Sequence, residues 1–207
     1  MNIVILLTTT INTENHISWL KQRNSEERKQ MYEEIIKLWL NKTNFKIVVI
    51  ENSGSNFNLE KNKNLEIISF TYPEKDKILL DTYVAKGQHE MYSIQYACKN
   101  SKFIKNTDYV IKLTGRYFIP EFEKIITKLV LNQDCIRQSQ IWRKMNRCEI
   151  VGCHKNIIDK IFYFPLKDDM MEQEIMNRMK NFKILELPKM KLHKSTKQGA
   201  GGLMKEL

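Results

Sequence analysis

The chain has 207 residues, with 34 Lys and Arg against 24 Asp and Glu, a formal net charge of +10 and 42% hydrophobic residues. That length suits one folded unit, and the composition excludes a disordered chain. The longest apolar run, Ile3 to Leu7, falls far short of the ~20 residues that span a membrane, and no signal-peptide pattern precedes it, so a soluble, unexported, cytoplasmic protein is expected.

In chain order, Asn2 to Thr9 is an apolar run that reads as a buried central strand and leads into Thr8, Thr9 and Thr10. Asn24-Ser25 opens a helix whose stripe is Met31, Ile35, Leu38 and Trp39, with an incomplete capping box because Arg28 stands three residues after Ser25. Phe45 to Ile50 is a β-branched second strand that stops at the turn-forming Glu51-Asn52-Ser53-Gly54. Leu65 to Phe70 is a third strand, and Lys86-Gly87 opens a helix with Met91, Ile94, Ala97 and Cys98 on one side. Asp108 to Leu113 is a fourth strand ending at Thr114-Gly115-Arg116, and Pro120 suits the first position of a helix to Leu131. Cys148 to Cys153 reads as an antiparallel strand, Asp168 to Met179 as a helix, and Lys183 to Leu187 as a last short strand.

Strands alternating with helices predict an α/β fold with a mostly parallel central sheet flanked by helices. The four cysteines, Cys98, Cys135, Cys148 and Cys153, have no disulfide-framework spacing and predict reduced thiols. Cys148, Cys153 and His154 lack a CxxC pair and a fourth ligand, and read better as small buried residues near a strand than as zinc ligands. After Pro188 the chain carries five Lys and one Glu, and three of its seven glycines fall within Gly199 to Gly202. This is a basic loop or tail.

In an open α/β sheet, ligands bind beyond the carboxyl ends of the strands. That rule selects Thr8-Thr9-Thr10, Glu51-Asn52-Ser53-Gly54, Tyr72-Pro73 and Thr114-Gly115-Arg116. Hydroxyls and amides there suit a base and ribose, and backbone free of Cβ suits a phosphate. No GxGxxG follows the first strand and no GxxxxGK[ST] occurs, which disfavours a dinucleotide site and a P-loop.

The strings Val49-Ile50-Glu51-Asn52-Ser53-Gly54, Lys86-Gly87 with Glu90, and Ile111-Lys112-Leu113-Thr114-Gly115-Arg116-Tyr117 resemble glycosyltransferases of the GT-A fold. The resemblance is to the N-terminal domain of the large chlorella-virus glycosyltransferase and to bacterial capsule and lipopolysaccharide transferases. It covers Asn2 to Tyr117 well and the remainder loosely. It implies one GT-A domain over 1–193, with a nucleotide-sugar-binding half over 1–117, an acceptor and catalytic half over 118–193, and a basic loop or tail over 194–207. It further implies inverting transfer of a sugar from a nucleoside-diphosphate donor, such as a UDP-sugar, to a glycan or other hydroxyl acceptor.

On that resemblance, Thr8, Thr9 and Thr10 line the donor cleft, and Glu51 and Asn52, with Ser53 beside them, contact base or ribose. Lys86, Gly87 and Glu90 lie beside the diphosphate or sugar, with Thr114 and Gly115 at the fourth strand end. Independently of the resemblance, Tyr72 follows the third strand, where its ring is expected to face the nucleotide. The family's metal-binding DxD would fall at Thr114-Gly115-Arg116, where there is no carboxylate. Charge building up on the leaving diphosphate must meet a divalent ion or fixed cations. Arg116, Lys86 and the late basic segment, from Lys194 onward, supply fixed cations. Alternatively Asp76 or Asp81, with His193, holds Mg²⁺ or Mn²⁺. The sequence leaves both routes open.

A transferase also needs a base for the acceptor hydroxyl. In Asp168-Asp169-Met170-Met171-Glu172-Gln173-Glu174, Glu172 matches the late-helix base of inverting enzymes, Asp168 and Asp169 read as helix caps, and Glu174 as a solvated side chain. Lys194 to Gly202 fits a loop that closes over the diphosphate. Trp39, on the apolar stripe, reads as core.

Two other classes compete. A sugar nucleotidyltransferase would carry a glycine-rich loop after the first strand, and Thr8 to Asn12 has no glycine. A nucleic-acid-binding module would need a basic stripe with interleaved aromatics or a recognition motif, and none is present.

Overall fold

The computed structural model describes residues 1–13, 24–83, 87–139, 141–142, 145–146, 148–163, 165, 167 and 170–194. Among these, the chain runs β1 (Ile3–Thr9), α1 (Ser25–Lys42), β2 (Lys46–Glu51), β3 (Leu65–Ser69), α2 (Glu74–Thr82), α3 (Gly87–Asn100), α4 (Lys102–Lys105) and β4 (Tyr109–Thr114). It continues through β5 (Tyr117–Phe118), α5 (Phe122–Leu129), β6 (Cys135–Gln138), β7 (Ile141–Trp142), β8 (Met145–Asn146), β9 (Ile150–His154), α6 (Ile158–Phe162), α7 (Met171–Met179), β10 (Ile184–Leu187) and β11 (His193–Lys194).

Seven strands form the central sheet in the order β10-β6-β9-β4-β1-β2-β3. β1 pairs in parallel with β2 and β4, and β3 in parallel with β2. β9 runs antiparallel to both β4 and β6, and β10 is parallel to β6. The sheet is therefore mostly parallel, with β9 as the reversed strand. The α/β architecture expected from the alternation of elements is the one found.

Every residue of β1 is buried, because helices cover both sheet faces. Ile3, Ile5 and Leu7 join a core with Met31, Ile35 and Trp39 of α1 and Phe122 and Ile126 of α5. Val4 and Leu6 join a second core with Met91, Ile94 and Ala97 of α3, Ile161 of α6 and Met171 and Ile175 of α7. Successive residues of a strand point to opposite faces. In β4 this sends Tyr109, Ile111 and Leu113 to the α1 side, and Val110 and Lys112 to the α3 side.

Several boundaries differ from expectation. The cap of α1 is Asn24, whose side chain accepts from the N–H groups of Glu26 and Glu27 at 2.9 and 3.1 Å, which explains why the box at Ser25 is incomplete. α5 begins at Phe122 after Glu121, so Pro120 lies before the helix and not at its first position. Between β3 and α3 lies α2, an element that the apolar pattern of the sequence does not mark. β6 lies in a stretch without alternating apolar residues, and β10 and β9 pair with it on either side. α7 begins at Met171, with Asp168 and Asp169 outside the described residues.

Candidate active site

The register sets the carboxyl ends of three strands level. Thr8 lies opposite both Ile50 and Thr114, and Thr9 opposite Glu51. β1 continues to β2 on one side, while β4 arrives on its other side after α2, α3 and α4. This reversal of strand order opens the crevice where open α/β sheets bind ligands.

Gly115 closes the β4 side of that crevice. Its N–H donates to the Thr8 carbonyl at 2.9 Å. A Cβ there would stand 2.6 Å from Thr9 Cγ2 and 2.7 Å from the Thr8 carbonyl oxygen, so the corner passes too close to β1 for any side chain. The next residue, Arg116, is thereby held at the rim. Trp39 fixes the corner from below: its indole N–H donates to the Tyr117 carbonyl at 2.9 Å, and its ring is fully buried, as expected for a core residue.

Arg116 is half-buried, with its guanidinium carbon 5.3 Å from the Tyr117 ring centroid. Burial works against its charge, but Tyr117, Tyr32 and Glu90 outweigh that and raise its pKa, so it stays protonated. Its Nε is buried with no acceptor among the described residues. Such a donor is costly unless a ligand completes it.

On the α3 side, the Thr8 hydroxyl donates to Glu90 Oε1 at 2.6 Å, and Lys112 Nζ lies 2.7 Å from the same oxygen. Lys112 is 1% exposed and also donates to the Cys148 carbonyl at 2.5 Å. Burial pushes the Glu90 carboxyl up, but the Lys112 ammonium, hydrogen bonds from Lys112 and Thr8, and the Arg116 charge together hold it below the usual glutamate range. Glu172, half-buried in the first turn of α7, adds to the same cluster. Burial first, and then Glu172, Glu90 and Glu149, push the Cys148 thiol up against the opposing pull of Lys112. A Cβ on Gly87 would stand 2.7 Å from Met171 Cβ, so Gly87 brings the start of α3 against the start of α7.

On the β2 side the site differs from the sequence expectation. Glu51 is fully buried, and its carboxylate accepts from the N–H groups of Ile11, Ser53 and Ser55 at 2.9, 3.0 and 2.8 Å and from the Ser53 hydroxyl at 2.6 Å. Those bonds join the loop after β1 to the loop after β2. The oxygens expected to meet a base or ribose are thus engaged by the chain's own backbone. Asn52 is buried as well, donating to the Tyr72 hydroxyl at 2.7 Å and to Ser93 Oγ at 3.1 Å, although its Oδ1 lacks a partner among the described residues. Tyr72 packs edge-on against Phe70, Tyr92 and His89, and burial raises its hydroxyl pKa well above the ordinary tyrosine value. Ser53 Oγ also accepts the Asn12 N–H at 3.0 Å.

Thr9 is buried, its hydroxyl donating to the Ile50 carbonyl at 2.9 Å. Thr10 is braced by Arg28, whose Nε donates to its carbonyl at 2.8 Å while another guanidinium nitrogen donates to Tyr32 at 2.9 Å. Arg28, expected only near a helix start, and Lys112, expected only as part of the fourth strand, both take part in the site. A lysine inside the run Tyr109-Val110-Ile111-Lys112-Leu113 was the available signal, since a buried strand excludes a charge that has no partner.

Of the candidate metal ligands, His193 and Asp76 have contacts of their own. His193 is 45% exposed, 4.0 Å from Glu34 and edge-on to Phe118. Asp81 is exposed on α2, and Asp76 accepts from the Tyr92 hydroxyl at 2.8 Å. No group of three His, Cys, Asp or Glu among the described residues is arranged to hold a metal. Lys194 pairs through β11 with Tyr117, one residue from Arg116. Lys86 and 195–207 lie outside the described residues. Glu174 is ion-paired with Arg178 at 2.8 Å and Lys167 at 3.2 Å, and so is not simply solvated. No described helix is long and apolar enough to cross a membrane.

No protein-family model matches the chain, and no curated relative is found by sequence. Solved structures do match. HddC from Yersinia pseudotuberculosis, complexed with GMP-PN, aligns over 94% of this chain and 93% of its own, with a TM-score of 0.54 and 12% identity. The bifunctional IspDF from Campylobacter jejuni aligns over 90% of this chain and 49% of its own, with a TM-score of 0.52 and 13% identity. A glycosyltransferase involved in glycosylation of the major capsid of PBCV-1 aligns over 77% of this chain and 62% of its own, with a TM-score of 0.42 and 11% identity. The likeness to HddC and IspDF is one of fold: the chain shares their α/β architecture at very low sequence identity.

Proposed function

We propose that the chain is a glycosyltransferase of GT-A type, binding a nucleoside-diphosphate sugar across the ends of β1, β2 and β4. The observation that carries this reading is Arg116, a protonated guanidinium at the β4 rim whose buried Nε has no acceptor among the described residues. A diphosphate supplies the missing acceptor and places its charge where a fixed cation already stands. The backbone of Lys194 pairs with Tyr117 through β11, one residue from Arg116.

In the reaction, an acceptor hydroxyl oxygen bonds to the anomeric carbon as the bond from that carbon to the diphosphate oxygen breaks. The nucleoside diphosphate leaves with the electron pair. Arg116 meets the charge it acquires, and Glu172 takes the hydroxyl proton. Glu172 has no hydrogen-bond or ion-pair partner among the described residues, and its place in the first turn of α7 beside Gly87 suits that role. Glu51 acts indirectly, by holding the two loops that floor the cleft. No group of three His, Cys, Asp or Glu among the described residues is arranged to hold a metal, and no step is routed through one.

The test is a thermal-shift panel of UDP- and GDP-sugars, nucleoside triphosphates and oligonucleotides, followed by transfer assays. A sugar nucleotide at 100 times its Kd is expected to stabilise the chain by about 2.7 kcal/mol. Arg116→Ala loses that shift, whereas Glu172→Gln keeps it and loses transfer. Stabilisation by a nucleoside triphosphate, with pyrophosphate release when a sugar phosphate is added, would establish a nucleotidyltransferase instead. Salt-dependent binding of oligonucleotide alone would establish a nucleic-acid module.

A further inference from the structure

Lys112 stands at 1% exposure in the middle of a strand, where an unpaired ammonium would be prohibitive. Its partners are the Cys148 carbonyl and Glu90 Oε1, and the same oxygen also takes the Thr8 hydroxyl. Two donors from β1 and β4 thus fix one oxygen of Glu90. The other, Oε2, has no hydrogen bond among the described residues, and the Glu90 side chain keeps 28% of its surface exposed at the rim.

We infer that Lys112 is a positioning residue: its buried ammonium locks Glu90 so that Oε2 faces the cleft and accepts a hydrogen bond from a hydroxyl of the bound donor. This rests on the proposed function. The chemistry selects a hydroxyl, because an ionised carboxylate repels a diphosphate and accepts readily from sugar or ribose O–H groups. It also divides the labour at the rim: Arg116 takes the phosphate side and Glu90 the hydroxyl side. Lys112 from β4 and Arg116 after it act on the Glu90 charge, Cys148 before β9 lies within reach of it, and Glu149, with Glu172 of α7, acts in turn on Cys148.

The experiment uses the full chain labelled with ¹³C, the Glu90 carboxyl resonance being assigned by its loss in Glu90→Gln. In the parent, Glu90 titrates below the ordinary glutamate range. In Lys112→Met, with the ammonium that lowers it gone, its midpoint rises, and UDP-sugar affinity gains an acid limb at that same midpoint. Glu90→Gln weakens UDP-sugar binding by about 10- to 100-fold, the loss of one hydrogen bond to a charged acceptor. Should Lys112→Met fail to fold, the Lys112→Met/Glu90→Gln variant, which strands no charge, is measured instead. Its affinity is expected to equal that of Glu90→Gln alone. An unchanged Glu90 midpoint in Lys112→Met, or a double variant that binds as the parent does, overturns the inference. A parent that binds no sugar nucleotide overturns the function and the hydroxyl contact together, and the Glu90 titration then decides the Lys112 role separately.

Discussion

Replacing Glu51 by Gln separates a carboxylate that holds loops together from one that reads a ligand. The change keeps the shape and converts one oxygen to an NH₂ group. If the amide nitrogen takes the Oε1 place, it faces the Ile11 N–H, 2.9 Å away in the parent. If it takes the Oε2 place, it faces the N–H groups of Ser53 and Ser55, at 3.0 and 2.8 Å. Either way at least one buried backbone donor is stranded, at about 1–3 kcal/mol, and the remaining bonds lose their charge assistance, a further 1–2 kcal/mol or so. The total is roughly 2–5 kcal/mol, or a fall in Tm of about 4–20 °C for a chain of this size. Urea denaturation gives the free energy, and calorimetric titration of a UDP-sugar at low temperature gives the affinity of the folded fraction. A Glu51→Gln protein within about 0.5 kcal/mol of the parent that has nonetheless lost the sugar nucleotide would refute this reasoning and return Glu51 to the ligand.

The other predictions concern the rim and its charges. Gly115→Ala forces a Cβ onto the Thr8 carbonyl and Thr9, and is expected to cost about 1–3 kcal/mol in denaturation while weakening donor binding through the displaced Arg116. Trp39→Phe deletes the donor to the Tyr117 carbonyl, lowering stability by about 0.5–1.5 kcal/mol in the same assay. The Glu90 carboxyl lies lower in the folded chain than its ordinary value of 4.5. The unfolded chain therefore takes up this proton first as pH falls. The stabilisation is complete above the ordinary value and is lost as pH drops through the folded one. Denaturation series from about pH 3 to 6 should show stability rising with pH in the parent, with that slope reduced or reversed in Lys112→Met.

The sheet was legible because its central strands are continuous apolar runs: Ile3 to Leu7 and Ile47 to Ile50 can be buried on both faces and scarcely otherwise. α2 escaped notice because Ile78 and Leu79 remain exposed, at 58% and 42%, and Leu80 is its one fully buried side chain, so no apolar stripe marks it. β6 escaped because Arg137 interrupts a four-residue strand. The site shows the same division. Polar residues at strand ends identify the rim, since strand order and register bring Thr8 and Thr114 together. Whether such a residue faces inward or outward depends on which backbone groups happen to need it. Glu51 turns inward because three N–H groups of two irregular loops converge on it, a tertiary accident that local sequence does not encode. Lys112 and Glu90 are 22 residues apart and meet only because β4 and α3 share a face.

The central claim is that a sugar nucleotide sits at the ends of β1, β2 and β4. Titrating ¹⁵N-labelled protein with a UDP- or GDP-sugar and following the backbone amides tests it directly. Saturable shifts are expected at Thr8 to Ile11 and Thr114 to Tyr117, abolished by Arg116→Ala. Shifts confined to the opposite end of the sheet, around Asn2, Asn44 and Thr107, or no shifts with any sugar nucleotide, would contradict it.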